Sequence, residues 1–203
     1  MAIKLTKNEL KTQKDRLKQY QRYLPTLQLK KQQLQTVIMQ INADLEHKEK
    51  ERVKLFGNLM DWIAVFSENP LFEEDKRLEH MVVPDKVVCG EDNIAGVSIP
   101  VFRELTFCDI DYNVEDYPLW VDTAVYKLKE IAEAEAVLKV LRKQTELLEK
   151  ELRQTAQRVN LFEKVKIPEA KENIRVIGIY LGDQQTSAVV RGKIAKKKLQ
   201  VNA

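Results

Sequence analysis

The chain has 203 residues, with 34 Lys and Arg against 31 Asp and Glu, for a net charge of +3. That charge and 44% apolar residues suit one folded unit and exclude a disordered or strongly polycationic tail protein. Six glycines in 203 residues is about 3%, under half of average usage, which excludes a sandwich or barrel needing a turn every ~8–12 residues.

Long helices remain, and the first begins at once. Thr6-Lys7-Asn8-Glu9 reads as a capping box, in which a Thr oxygen serves the third helical N–H. From Leu10, alternating steps of three and four residues land on Gln13, Leu17, Tyr20, Leu24, Leu27, Lys31, Leu34, Ile38, Ile41, Leu45, Lys48, Arg52, Leu55, Leu59, Trp62 and Phe66. Thirteen of these seventeen positions are apolar, against 44% for the chain. A 3.5-residue period held this long predicts a left-handed coiled-coil seam. Residues 1–69 therefore read as one long helix.

Residues 70–116 break the pattern. Pro70, Gly90 and Gly96 fall here, with β-branched runs at Val82-Val83 and Val87-Val88 and alternation through Val97, Ile99 and Val101. A small hairpin, alone or with a short helix, fits. Cys89 and Cys108 match no metal or redox spacing, so they read as reduced thiols or as one disulfide.

Tyr117-Pro118 starts a second long helix, with Pro where the first turn tolerates it. Its seam steps through Ile131, Ala134, Leu138, Leu141, Thr145, Leu148, Leu152, Thr155, Val159 and Phe162. Beyond Pro168 it resumes at Ile174, Ile177 and Leu181, and Gly182-Asp183 reads as a stop. The helix is thus expected over 117–182, with 183–203 a basic tail, helical or disordered. A helix over residues 6–66 would be roughly 90 Å long, so the two must lie antiparallel. The fold class is all-α: a long antiparallel two-helix left-handed coiled coil, with a short β-hairpin or short helix at the connecting end.

Chemistry is sparse. There is no phosphate loop, no dinucleotide fingerprint and no Ser/His/Asp constellation, so no catalytic, cofactor-binding or metal-binding residues are named. His47 and His80 have no ligand-spaced neighbour, and Glu49/Glu51 and Glu73-Glu74 read as solvated charge. The basic tail is weak support for nucleic-acid binding at a net charge of +3. No apolar run approaches the ~20 residues of a membrane span, and no secretory pattern opens the chain, so a cytoplasmic protein is expected.

Specific strings go further. Thr6-Lys7-Asn8-Glu9-Leu10, Tyr23-Leu24-Pro25-Thr26-Leu27, Leu29-Lys30-Lys31, Pro118-Leu119-Trp120-Val121-Asp122, Arg158-Val159-Asn160-Leu161-Phe162-Glu163-Lys164, Ile167-Pro168-Glu169 and Asn173-Ile174 resemble the D subunits of V-type and A-type rotary ATPases. The resemblance covers both arms but neither 71–115 nor the stretch after Gly182. It implies a non-catalytic rotor axle with no nucleotide or other cofactor of its own. The implied partners are the A, B and F subunits, of which A and B form the catalytic hexamer and F is small, and a socket component above the membrane ring. The axle would then be peripheral to the membrane, coupling ATP hydrolysis or synthesis to proton or sodium transport. A coiled-coil tether or scaffold is the alternative.

Three sets of residues follow. Lys4, Lys7, Lys11, Lys14, Arg16, Arg158, Lys164, Lys166, Lys171 and Arg175 would form a basic coat facing the hexamer, where Pro25 and Pro168 would share a bend. Lys48 and Arg52 interrupt the seam opposite Glu130, Glu133 and Glu135, where they would form a polar layer or open to solvent at the seam edge, at the height where F would bind. The coiled-coil core would be Leu17, Leu24, Leu27, Leu34, Ile38, Ile41, Leu45, Leu55, Leu59, Leu138, Leu141, Leu148, Leu152, Val159 and Phe162.

Overall fold

A computed structural model describes residues 4–60, 78–108 and 117–201. Trp62, Phe66, Pro70 and Glu73-Glu74 lie outside the described residues. In chain order come helix α1 (Lys7–Met60), a single turn α2 (Leu78–Met81), strands β1 (Pro84–Ile94) and β2 (Val97–Phe107), and helix α3 (Trp120–Leu161). A π-helical turn (Phe162–Lys166) leads into the last helix, α4 (Ile167–Val201). The chain is mostly helical, as the glycine shortage requires. It divides into two compact units, residues 1–31 with 153–203, and residues 32–152.

In the first unit, the start of α1 lies antiparallel to the end of α3 and to α4. Gln13 meets Asn173, and seven residues later Tyr20 meets Phe162, ring centroids 5.2 Å apart. The helix opens as its cap dictates, with the Glu9 N–H donating to Thr6 Oγ1 at 3.2 Å. Glu9 does not complete the capping box, because its carboxylate accepts from Gln13 at 2.8 Å instead. Val159, Ala170, Ile177, Thr155 and Gln13 are buried, and Leu17, Leu24, Leu27 and Phe162 half-buried. α1 passes through exposed Pro25 unbroken, since the carbonyl freed one turn back can face water. Pro168 has a different effect: the turn before it widens, and the Ile167 N–H donates to Phe162 O.

The expected stop at Gly182-Asp183 is absent; α4 runs on to Val201. A C-terminal glycine stops a helix by taking a left-handed conformation, and among the described glycines Gly96 alone has positive φ. A helical Gly costs only about 1 kcal/mol, and local pairs bridge it. Gln184 Nε2 donates to the Tyr180 hydroxyl, and Thr186 Oγ1 to Gly182 O.

In the second unit, the rest of α1 lies antiparallel to α3, and the hairpin lies along both helices. Leu34, Ile38, Ile41 and Leu148 form one core with Ile99 of β2, flanked by Val37, Leu141, Leu152, Ile94 and Val97. Leu34 and Leu148 are fully buried, each worth about 1.5–3 kcal/mol. Leu138 is buried, while Leu45, Leu55 and Leu59 are half-buried. Leu78 and Met81 of α2 pack with Val121, Ala124 and Val125 in a second core. The hairpin therefore runs back from the connecting segment, its tip reaching the level of Leu34 and Leu152. Its antiparallel ladder pairs Ile94 with Val97 through Lys86 with Thr106, with irregularities between Pro84 and Lys86 and between Val88 and Cys89. The two-residue turn has Ala95 at φ 52° and Gly96 at φ 79°, the left-handed pair that matches strand twist. Asn93 Oδ1 accepts from the Gly96 N–H at 2.9 Å and closes it.

Candidate functional site

The basic coat belongs to the first unit. Lys4, Lys7, Lys11, Lys14, Arg16, Arg158, Lys164, Lys171 and Arg175 are exposed, and Lys166 is half-buried. Helix spacing decides which of these charges are available. Arg175 grips Glu172 three residues back with two hydrogen bonds, 2.7 and 2.9 Å, and Lys166 meets Glu169 at 3.2 Å. That grip holds the Glu172 carboxyl below its ordinary range and the Arg175 guanidinium above its own. Past Leu181, every described residue up to Lys198 is exposed, and Val189, Val190 and Ile194 stand among Arg191, Lys193 and Lys196. Pro25 and Pro168 both face solvent.

The seam charges belong to the second unit. Arg52 reaches Glu135 across the helix pair at 3.5 Å, and Arg142 reaches Glu49 at 2.8 Å. All four remain at least 40% exposed, so the cations open onto the seam edge and no buried polar layer forms. Lys48 turns to Glu51 of its own helix at 2.7 Å and lowers that carboxyl. Glu130 accepts from the Tyr126 hydroxyl, which raises the phenol. Glu133 is exposed beside them. Val53 and Phe56 are exposed on the same side and line a hollow of about 230 Å³ with Arg52, Ile131 and Glu135.

A third surface was not visible in the heptads. Ala132, Ala136, Val140 and Gln144 follow a four-residue step on α3, off the row that meets α1, and face the hairpin. Gln144 is buried, and its Nε2 donates to Pro100 O. Lys129 Nζ sits 5.4 Å from the Phe107 ring centroid. Two grooves of about 450 and 480 Å³ run between strand and helix, sharing Val87, Ala136, Lys139 and Arg142. The cue in the sequence is the run of small and apolar residues at that four-residue step beside the main seam.

Cys89 and Cys108 are free and exposed. Cys89 lies opposite Phe102, while the Cys108 N–H donates to Val83 O. Six strand positions separate those levels, about 20 Å, and a disulfide needs Cα atoms within ~7 Å. The disulfide alternative is thereby removed. Among the described residues no group of three or more His, Cys, Asp or Glu could hold a metal ion, and no helix is long and apolar enough to cross a membrane. What the surface offers is charge and apolar contact.

The family model for ATP synthase D subunits matches residues 9–197. Among V-type ATP synthase D subunits, that of Borreliella burgdorferi is 52% identical over 197 residues, covering 97% of this chain and 95% of that protein. Those of Chlamydia caviae and Chlamydia pneumoniae are 36% and 34% identical, each alignment covering at least 98% of this chain and 94% of the relative. These matches run through 71–115 and past Gly182, where the motif strings stop.

Proposed function

Since this chain belongs to the family of ATP synthase D subunits, we propose that it is the non-catalytic central-stalk rotor of a V/A-type rotary ATPase or ATP synthase. It couples nucleotide turnover in a hexamer of A and B subunits to ion transport by rotating inside it, peripheral to the membrane. The observation that carries this reading is the first unit: a seam between the start of α1 and the end of α3 with α4, within a sleeve of exposed Lys and Arg. A shaft turning past equivalent walls is held better by diffuse charge than by deep pockets, which would trap one orientation. Charge attraction screened beyond ~8–10 Å holds without locking.

The zone around Lys48, Arg52, Glu130, Glu133 and Glu135 is the height at which F clasps the shaft. Exposed Val53 and Phe56 beside the Arg52–Glu135 pair supply apolar area there. The connecting segment meets the socket component above the membrane ring.

The test is reconstitution with A, B and F subunits at several salt concentrations, using single replacements at Lys4, Lys7, Lys11, Lys14, Arg16, Arg158, Lys164 and Lys171. Each replacement is expected to weaken assembly slightly, and added salt to weaken it progressively. One substitution that abolished assembly while the others did nothing would make the contact a localised anchor and overturn the sleeve.

A further inference from the structure

The hairpin is tied to α3 at two levels and leaves open space between them. Towards its tip, Gln144 holds the Pro100 carbonyl; towards its open end, the Lys129 ammonium lies 5.4 Å from the Phe107 ring centroid. Between these levels α3 offers Ala132 and Ala136, whose single methyls cannot fill the gap beneath the strands. Strand β1 is also irregular between Val88 and Cys89, which bends it there. The outcome nearer the tip is a groove of about 480 Å³ with Val87, Pro100, Ala136 and Val140 as its floor and Cys89 beside them. Small-molecule sites span roughly 300–1,000 Å³ and share this make-up, an apolar floor with few polar groups.

The charges of the groove are unbalanced. Lys139, Arg142 and Lys143 line it against one carboxylate, Glu146. Two of these cations are engaged. Lys143 meets Glu146 at 2.8 Å, and Arg142 meets Glu49, outside the groove, at 2.8 Å. Lys139 is exposed and meets no carboxylate among the described residues. An aliphatic trough beside one free ammonium matches a ligand with hydrocarbon along its length and one negative charge at its end. No aromatic side chain lines the groove, so a planar ring would find nothing to stack on. A phosphate would want a nest of backbone N–H groups or several free cations, and a single lysine fits a carboxylate. From Lys139 to Glu146 the helix advances roughly 10 Å. One acyl chain fills half of a ~30 Å bilayer core, about 15 Å, so the trough takes a chain of medium length.

We propose that this groove binds a medium-chain aliphatic carboxylate, with Lys139 as its counter-ion and Val87, Pro100, Ala136 and Val140 as the floor for its chain. The site lies wholly within the second unit and does not depend on the rotary reading.

The two free cysteines make the test internal, because Cys89 lines the groove and Cys108 does not. The full chain is titrated with decanoate below its micellar concentration, and the reaction of each cysteine with an uncharged thiol reagent is followed by peptide mapping. Saturating decanoate should slow Cys89 by at least about fivefold and Cys108 by less than about twofold, since only the first is covered. Octanoate should need at least about a threefold higher concentration, because it buries two fewer methylenes. Decylamine, with the opposite charge at its head, should leave Cys89 unprotected. Lys139→Met keeps an apolar stem at an exposed position and should raise the half-saturating decanoate concentration at least about tenfold, whereas Lys139→Arg should stay within about threefold of the parent. Decanoate that protects neither cysteine, or both alike, overturns the site. Equal protection by decylamine, or by decanoate in Lys139→Met, leaves an apolar patch without carboxylate recognition and overturns the assignment.

Discussion

Replacing Ile99 by Ala tests whether the hairpin is part of the helical core or an appendage on it. A lone two-stranded hairpin is marginal in water, so its inward side chains matter only where they are packed. Ile99 is 3% exposed and sits among Leu34, Ile38, Ile41 and Leu148. Ile→Ala removes three carbons, about 2.4 kcal/mol of transfer free energy at ~0.8 per carbon. A residual void of roughly 40 Å³ would add about 1 kcal/mol at ~24 cal/mol per Å³. The total, about 3.4 kcal/mol, corresponds to a loss of about 7–13 °C in melting temperature for a chain of this size. Val101→Ala on the same strand, at a site 37% exposed, should cost less than about 1 kcal/mol. Urea unfolding followed by helical circular dichroism and by tryptophan fluorescence measures both. An Ile99 variant within about 0.5 kcal/mol of the parent would mean that the strand does not share the core.

Ala95 holds a left-handed conformation that an L-residue adopts at a cost of about 1–2 kcal/mol, so Ala95→Gly should stabilise the fold by up to about 1 kcal/mol in urea unfolding; a loss would place the value of Ala95 in its methyl contact with the core. Glu46, Glu51, Glu146 and Glu172 are held below the ordinary carboxylate range chiefly by hydrogen bonds from Lys50, Lys48, Lys143 and Arg175. Their folded values are depressed, so their contribution is complete above the unfolded value of about 4.3 and is lost as pH falls through the lower folded ones. Thermal melts should be flat from about pH 7 to 5 with respect to these groups and decline below; a decline already complete at pH 5 would refute the assignment. Both cysteines should react with a thiol reagent in the folded state, and air oxidation should give no intramolecular disulfide on a non-reducing gel; an intramolecular bridge formed without unfolding would contradict the strand register.

The heptads made the helices legible because one physical demand, a continuous apolar row, repeats every 3.5 residues in α1 and α3. The hairpin was harder to place. Val97, Ile99 and Val101 signalled a strand, but Ala95-Gly96 is a weaker turn signal than Asn-Gly, and nothing local says where a strand docks. Its landing strip at Ala132, Ala136, Val140 and Gln144 is a second stripe on α3 that a search for one seam passes over. Gly182 misled because a glycine stops a helix only where the next contacts favour a left-handed turn, and here Tyr180–Gln184 and Gly182–Thr186 contacts carry the helix through. The charged sites were legible as residue types and positions. Their pairings, such as Lys48 with Glu51 in its own helix, depend on rotamers that spacing does not decide.

The rotor assignment is tested most directly by watching this chain turn. With Cys89→Ser leaving Cys108 as the attachment point, a bead is fixed to the chain in an assembly whose A and B subunits are anchored to glass, and ATP is added. The expected result is one-way rotation with three equivalent pauses per turn, at a rate that follows hydrolysis. A stationary bead over a hexamer that continues to hydrolyse ATP, at the rate it shows without this chain, would contradict the assignment.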